Sequence, residues 1–560
     1  MSEDQKLKII PLGGVEEVGR NCLAIEYQND ILVVDLGLDF PDSDYPGVQY
    51  LLPDISYLKR NKYKIRGILL THGHLDHVGG INFLLQELNF PPIFGSKLTL
   101  GIVEDRLKET DFLARANLQE IDSHKILALG KFEISFFRIN HNIPGSLGLI
   151  IKTPLGAIVH SGDFKFDEHP FDQLPTEKDK LKLLGKKGVL LLLSDSTNAD
   201  IKGRTLSERE VEQVIISIFN KIKGRIIFTT FSTLITRIGQ VIAVCQKCRR
   251  KIVVFGFSLN KNIALAERLG YLKIPKNLFI DPKTMNQYQD KELLILSTGS
   301  QGEERAVLSR ISNNEYRGIK IEKGDTIIFS SSTIPGNELA VNKMMNKFID
   351  LGAEIIYEPI LGLGAHSSGH GNADDLAEMI KLTKPHYFIP VHGEHFMQAY
   401  HRQIAEDQGM RESNIFLMKN GQVLEIDKSL NARISLSMEN NPFIVETGQS
   451  LRPSSGRAQN TPFDKREIAK QFPDYIFLER NEMMENGACF VAAEIDRHRV
   501  TARVKCYGLF IDQKMLNEIK SKAENFLKKK RISTEQVADR LTDFIYSRTG
   551  KRPPTIVIQI

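Results

Sequence analysis

Apolar and polar positions alternate over the first two hundred residues in one recurring way. A short apolar run ends abruptly on polar side chains. ILVVDLG (31–37) predicts a buried strand ending in an aspartate, and IRGILLTHGH (65–74) predicts another ending in histidines. SLGLIIKT and AIVHSGDF predict a hairpin around Pro154-Leu155-Gly156, and GVLLLLSDST (188–197) a fourth strand with a polar end. From about 206 to 369 the period changes. TLSEREVEQVIISIFNKIKG predicts a helix with Ser207 and Glu210 as its capping box. RIIFTTF, KIVVFGF, ELLILSTGS and DTIIFSSS predict parallel strands with helices between them. The strand-then-histidine style returns in AHSSGHGNADDLAEMIKLTKPHYFIPVHGEHF (365–396). NPFIVETGQSLRPSSGRAQNTPFD (441–464) is rich in turn formers and predicts a linker. Beyond it ACFVAAEI, VTARVKCYG, two amphipathic helices and TIVIQI predict a small α+β unit. GGVEEVGRN (13–21) lies between β-runs and reads as the turn of a first hairpin, not a phosphate loop.

Length and composition narrow the class. A chain of 560 residues predicts about three to five domains or lobes. A hydrophobic share of 41% with 26% charged residues is that of a globular protein. The longest apolar runs, such as Val189–Leu193, fall far short of the ~20 residues of a membrane span. The N-terminal MSEDQKLKII lacks a secretory pattern, so the expected location is cytoplasmic and no membrane partner is expected. Five cysteines do not make a disulfide framework. Cys245 and Cys248 form a lone CxxC, best read as neighbours on one helix. A net charge of +5 permits an anionic partner without demanding one.

Chemistry enters at ILLTHGHLDHVGG (68–80). His72, His74, Asp76 and His77 crowd the end of an apolar strand, and Gly79 and Gly80 let the chain turn closely. A lone histidine beside a strand is usually structural. Three imidazoles and a carboxylate together carry a desolvation cost that only a cation offsets, and imidazole with carboxylate suits Zn²⁺. Further ligands are available at other strand ends: His141, Asp163 and His392. The stretch is read as a binuclear metal loop.

HGHLDH, then a lone histidine, then Gly-Asp, resembles the metallo-β-lactamase signature. SDSTNAD (194–200), STGSQGE (297–303), SSGH (367–370) and PVHGE (390–394) resemble the β-CASP branch of nucleic-acid hydrolases. From GGVEEVGRN onward the chain is similar to the bacterial ribonuclease J family. The resemblance implies an αββα metallo-β-lactamase fold (1–205 and 370–435) split by an α/β β-CASP domain (206–369), then a linker (436–463) and a C-terminal α+β domain (464–560). It implies two zinc ions per subunit, Mn²⁺ or Mg²⁺ being alternatives. His72, His74 and His141 would hold one and Asp76, His77 and His392 the other, with Asp163 bridging. Asp35, Asp195 and His370 match further motif positions. Asp76, Asp195 and His370 carry the implied catalytic roles. Thr233, Ser258, His366, Ser367, Ser368, Gly369 and His370 carry the substrate-binding ones. The implied activity is hydrolysis of single-stranded RNA, exonucleolytic from the 5′ end, endonucleolytic, or both. It would serve rRNA maturation and mRNA processing and decay, releasing a 5′-phosphate and a 3′-hydroxyl. The implied assembly is a homodimer, a homotetramer or a hetero-oligomer with a paralogue.

The chain departs from the family pattern in one place. FSTLITRIG (231–239) carries Leu234 where an asparagine is usual and Thr236 where a histidine is. Gly256-Phe257-Ser258 carries Phe257 where an arginine is usual. Thr233 and Arg237 keep a hydroxyl and a charge. These changes remove donors and a bidentate phosphate grip, so the expectation is intact metal chemistry with weakened 5′-end recognition. Two other readings stand beside it: a weakly active RNA-binding partner subunit, and a small-molecule hydrolase of the same fold. The inserted lobe argues against the second. NFLKKKR (525–531) reads as a solvated helix end, and His395 as a structural neighbour of His392.

Overall fold

The computed structural model describes residues 5–41, 48–303, 306–316, 318–331, 333, 337–357, 364, 367–438, 442–446, 488–496, 499–507, 513–528, 533–549, 551, 553 and 555–559. Two sheets form the frame. The first runs, in spatial order, Ala432–Ser437, Gln422–Ile426, Leu7–Gly13, Cys22–Tyr27, Asp30–Val34, Ile65–Leu69, Ile93–Gly95 and Leu118–Glu120. The second runs Pro385–Val391, Val189–Asp195, Gly156–His160, Leu147–Thr153, Phe132–Arg138 and Ile126–Leu129.

The central strands are apolar on both faces because both faces are covered. Leu7, Ile9, Leu32 and Val34 of the first sheet meet Ile134, Leu149, Ile151 and Leu191 of the second in one buried layer. Their alternate neighbours Ile10, Ile31 and Val33 turn outward onto a core that includes Leu58, Leu84 and Val103 from helices. On the far side Ile150, Val159 and Leu192 pack on Leu376, Met379 and Ile380 of helix Ala373–Thr383. The order of layers is therefore α, β, β, α. The predicted hairpin closes through the two residues Pro154 and Leu155, with Thr153 opposite Gly156.

A second α/β unit lies between Val189–Asp195 and Pro385–Val391, which are parallel neighbours in one sheet. Its five-stranded parallel sheet runs Lys251–Phe255, Leu293–Ser297, Ile226–Thr229, Thr326–Phe329 and Glu354–Tyr357. The fifth strand was not among the four expected. Helix Glu208–Lys221 opens with the capping box of Ser207 and Glu210 as read from the sequence. Strand Phe443–Glu446, inside the segment expected as a linker, pairs antiparallel with Val48–Leu52. Residues 447–464 of that segment lie outside the described residues. Near the C-terminus a three-stranded sheet places Ala488–Asp496 between Arg499–Tyr507 and Thr555–Gln559, backed by helices Gln513–Leu527 and Thr534–Thr549. Among the described residues no helix is long and apolar enough to cross a membrane.

Candidate metal centre

Parallel strands end together, so the residues after their carboxyl ends share one rim. Asp35 follows Asp30–Val34, Thr71 to His77 follow Ile65–Leu69, Asp163 follows Gly156–His160, Asp195 ends its strand, and His392 follows Pro385–Val391. Asp35 and His392 both take left-handed backbone, with φ of 59° and 52°. Non-glycine residues seldom hold that conformation, and at strand ends it re-aims the side chain. Asp76 and His77 sit on the four-residue helix Leu75–Val78, turned tightly against the Asp35–Leu38 loop. A Cβ on Gly80 would come within 2.5 Å of the Gly37 carbonyl, which explains the glycine there.

The seven expected ligands converge in two groups that share Asp163. His72, His74, His141 and Asp163 form one group; Asp76, His77, His392 and Asp163 form the other. Within each group one ligand atom per residue lies within 4.8 Å of all the others. His74 Nδ1 stands 3.0 Å from His72 Nε2 and 3.1 Å from His141 Nε2. His392 Nε2 and His77 Nε2 lie 3.2 and 3.3 Å from Asp76 Oδ2. Asp163 Oδ2 faces His77, His72, His392 and His141 at 3.1, 3.6, 3.6 and 3.9 Å. Two nitrogens on one tetrahedral zinc stand about 3.3 Å apart, so the spacing and the all-N/O donor set fit divalent cations of this kind.

A further ring of groups fixes the imidazoles. His77 Nδ1 donates to Asp35 Oδ2 at 2.7 Å, His141 Nδ1 to the Gly369 carbonyl at 2.7 Å, and His392 Nδ1 to Thr197 Oγ1 at 2.7 Å. Thr71 Oγ1 donates to Asp35 Oδ2 and takes His72 Nδ1 at 3.1 Å. Each donation leaves Nε2 as the lone-pair nitrogen facing the cluster, which is how a protein sets the ligating tautomer. A Cβ on Gly369 would lie 2.4 Å from His141, so the glycine permits this backbone contact.

Burial holds His74 down at about 4 and keeps the imidazoles of His72 and His141 well below their ordinary value. Burial also opposes charge on His77 and His392, but Asp163 beside them overrides it and raises both. Asp163 and Asp76 themselves are held well below the carboxylate range by the facing histidines, against the effect of burial.

His370 stands at the mouth, stacked on His392 with ring centroids 5.3 Å apart and edge-on to His141. Its Nδ1 donates to Asp195 Oδ2 at 2.7 Å. Burial lowers its pKa and Asp195 more than restores it, so the net shift is upward. Ser368 Oγ accepts from the His370 backbone. Ser367 is buried and turned away, donating to the Leu206 carbonyl and receiving Lys165 Nζ.

Thr233 and Ser258 lie in the inserted unit, after the carboxyl ends of strands Ile226–Thr229 and Lys251–Phe255. Leu234 and Thr236 are buried, whereas Phe257 is 84% exposed. Arg237 is also buried, and its guanidinium is turned onto Glu208, so the charge it keeps is engaged internally. His366 lies outside the described residues. His395 is an exposed partner of Glu16, not of the cluster. Thr71, Thr197 and Asn21, whose Nδ2 reaches His77 Nε2 at 3.1 Å, had no role in the sequence reading. They stand inside stretches quoted there, but a hydroxyl or amide carries no signature of its target.

The layered sheets with this cluster at their rim define a metallo-β-lactamase-type hydrolase. Family models match accordingly. A beta-lactamase superfamily domain covers residues 45–182, the beta-CASP domain of ribonuclease J covers 223–348, and a Zn-dependent metallo-hydrolase RNA specificity domain covers 364–417. Ribonuclease J of Synechocystis is 39% identical over 94% of this chain and 80% of its own. Ribonuclease J of Thermus thermophilus is 34% identical over 99% and 95%, and ribonuclease J2 of Bacillus subtilis is 40% identical over 75% of each. A crystal structure from Enterococcus faecalis, described as a protein of unknown function, superposes with a TM-score of 0.52 at 15% identity. It covers 75% of this chain and all of that one, a likeness of fold alone. The chain belongs to the ribonuclease J family.

Proposed function

We propose that the chain is a zinc-dependent ribonuclease that cleaves single-stranded RNA in rRNA maturation and mRNA processing and decay. The observation that carries the reading is the pair of ligand groups sharing Asp163, with His77, His141 and His392 each held by a hydrogen-bond partner behind the cluster. His72, His74, His141 and Asp163 would hold one zinc; Asp76, His77, His392 and Asp163 the other. The N/O donor set also suits Mn²⁺. Bound there, the pair supplies positive charge against a phosphodiester and a water of lowered pKa. The protein's part is positional. Asp76 and Asp163 stay ionised, the aligned imidazoles turn a ring nitrogen inward, and Asp195 favours the charged form of His370 at the mouth. There His370 holds a phosphate oxygen or hands a proton to the leaving 3′ oxygen.

The 5′-end pocket is the altered part. With Phe257 exposed, Leu234 and Thr236 buried and Arg237 committed to Glu208, the donors left beside Thr233 and Ser258 grip a terminal phosphate weakly. This favours internal cleavage over 5′-monophosphate-dependent digestion. The domain division expected from the sequence, a cytoplasmic location and self-association through the C-terminal sheet belong to the same reading. That sheet's outer strands, Arg499–Tyr507 and Thr555–Gln559, are edges another copy can pair with.

The test is zinc content and cleavage of end-labelled RNA by three samples: zinc-loaded protein, chelator-stripped protein, and Asp76→Ala. The reading expects products with 5′-phosphate and 3′-hydroxyl ends from the loaded protein alone, and activity restored by returning zinc. Cleavage that survives both chelation and Asp76→Ala would refute it.

A further inference from the structure

The seam between the inserted unit and the paired sheets holds a buried ionic knot. Lys165 lies two residues beyond Asp163, and its backbone N–H donates to the Asn140 carbonyl at 2.9 Å, next to His141. Its side chain is 1% exposed, and Nζ reaches Glu208 Oε1 at 2.7 Å and Ser367 Oγ at 2.9 Å. Glu208 is the first residue of helix Glu208–Lys221, and its N–H donates to Asp167 Oδ2 at 2.8 Å. Its Oε2 accepts from Arg237 Nη2 at 3.3 Å and Gln240 Nε2 at 2.9 Å, both on helix Ile235–Lys247. One carboxylate therefore ties three parts together. They are the loop carrying Asp163, the helix that follows the altered pocket loop, and, through Lys165, the segment carrying Ser367 to His370.

We propose that Glu208 is a positioning residue for RNA cleavage, one that sets the inserted unit and His370 in register with the ligand cluster. The inference rests on the nuclease reading above. Apolar side chains would seal this seam at lower desolvation cost, but they fix no particular register; buried charges that must meet do. Glu208 touches none of the seven ligand side chains, so its loss should disturb alignment and leave metal binding intact. A small misplacement of groups around a reacting phosphate is enough to slow the chemical step.

The experiment compares zinc-loaded wild type with Glu208→Gln, Glu208→Asp and Arg237→Met. It measures zinc per chain, kcat and KM on an unstructured RNA, and amide exchange in peptides covering 231–240 and 367–371. Glu208→Gln should keep its zinc, lose about tenfold or more in kcat with little change in KM, and exchange faster in both peptides. Glu208→Asp, which keeps the charge, should recover much of the loss. Wild-type kcat in folded Glu208→Gln overturns the proposal, as does zinc content that falls in step with kcat. Should Glu208→Gln fail to fold, Arg237→Met, which spares the Lys165 pair, is expected to show the same kcat loss, and wild-type kcat there overturns it. A wild type that cleaves no RNA would instead sink the nuclease reading. The exchange data then decide the positional claim alone, since unchanged exchange overturns it.

Discussion

The molecule builds two rims at the carboxyl ends of parallel strands, and it finishes them differently. At the paired sheets, the ligand imidazoles are locked before any substrate arrives: His77 by Asp35, His141 by the Gly369 carbonyl, His392 by Thr197. In the inserted unit, the hydroxyls of Thr229, Ser297, Ser300 and Ser331 are buried at strand ends without a hydrogen-bond partner among the described residues. Buried hydroxyls of that kind are normally satisfied by water or a ligand. Beside them stand Leu234, Thr236 and Phe257, at positions where the family resemblance leads one to expect phosphate-gripping side chains. Chemistry at the first rim needs donors fixed to fractions of an ångström. On the proposed reading, the second rim recognises an RNA end and only adjusts which RNA is cut, so its side chains can change while the first rim stays whole.

Substitutions at the two rims should therefore differ in kind. The largest effect is expected from Asp163→Ala, which removes the oxygen common to both ligand groups. Cleavage should disappear and bound zinc should drop below two per chain, read by elemental analysis. Asp195→Asn comes next. It removes the charge that supports His370 and replaces one of the two accepting oxygens, the one facing His370 or the one facing the Thr197 hydroxyl, with a donor, so activity should fall about 10–100-fold, the usual scale for residues supporting a metal ligand. Thr197→Val, which deletes only that hydroxyl, should sit near the lower end of the same range, about tenfold, in steady-state cleavage or zinc affinity. If either variant cleaves like wild type, the locked-rim half of the comparison is wrong.

At the second rim the sign reverses. Phe257→Arg puts a guanidinium at an exposed position where the family usually has one, and a charge-assisted hydrogen bond to phosphate is worth about 1.5–3 kcal/mol. The ratio of cleavage rates on 5′-monophosphate and 5′-hydroxyl RNA should rise by about tenfold. Cleavage of a circular RNA, which has no end, should stay unchanged.

The seven candidate ligands were legible because His72, His74, Asp76 and His77 form one contiguous motif and His141, Asp163 and His392 each follow an apolar run, while their division into two groups was expected from the family resemblance. The capping box of Ser207 was legible from spacing, whereas the αββα layering was expected only from the family resemblance of the motifs. What the sequence could not show depends on distance along the chain. Lys165 meets Ser367, 202 residues away, and Thr197 meets His392, 195 away. Neither pair has a local pattern to betray it. The engagement of Arg237 was illegible for the same reason: a charge in a motif says nothing about whether a carboxylate such as Glu208 already holds it. The fifth strand, Glu354–Tyr357, escaped because it lies at the edge of the sheet and is only partly buried, so its sequence lacks the fully apolar run of its neighbours.

The smallest expected effect concerns His401, which lies under the first rim with Nδ1 on Ser196 and Nε2 without a partner among the described residues. Burial lowers its pKa to about 3. Native protein therefore keeps it neutral, whereas the unfolded chain protonates it near 6.5. Its contribution is fully present above about pH 6.5 and is lost as pH falls towards 3, at about 1.4 kcal/mol per unit. Between pH 6.5 and 5, thermal unfolding of His401→Gln should shift less than that of wild type. An equal shift would show that acid lability lies elsewhere.

The most direct measurement of the central claim uses one RNA sequence carrying a 5′-monophosphate, a 5′-triphosphate or a 5′-hydroxyl, cut by the zinc-loaded protein beside Asp76→Ala. An intact metal rim with a weakened end pocket predicts internal cuts at similar rates on all three and none by the variant. Rapid mononucleotide release from the monophosphate RNA alone would contradict it, because the altered pocket would then still be reading the 5′ end.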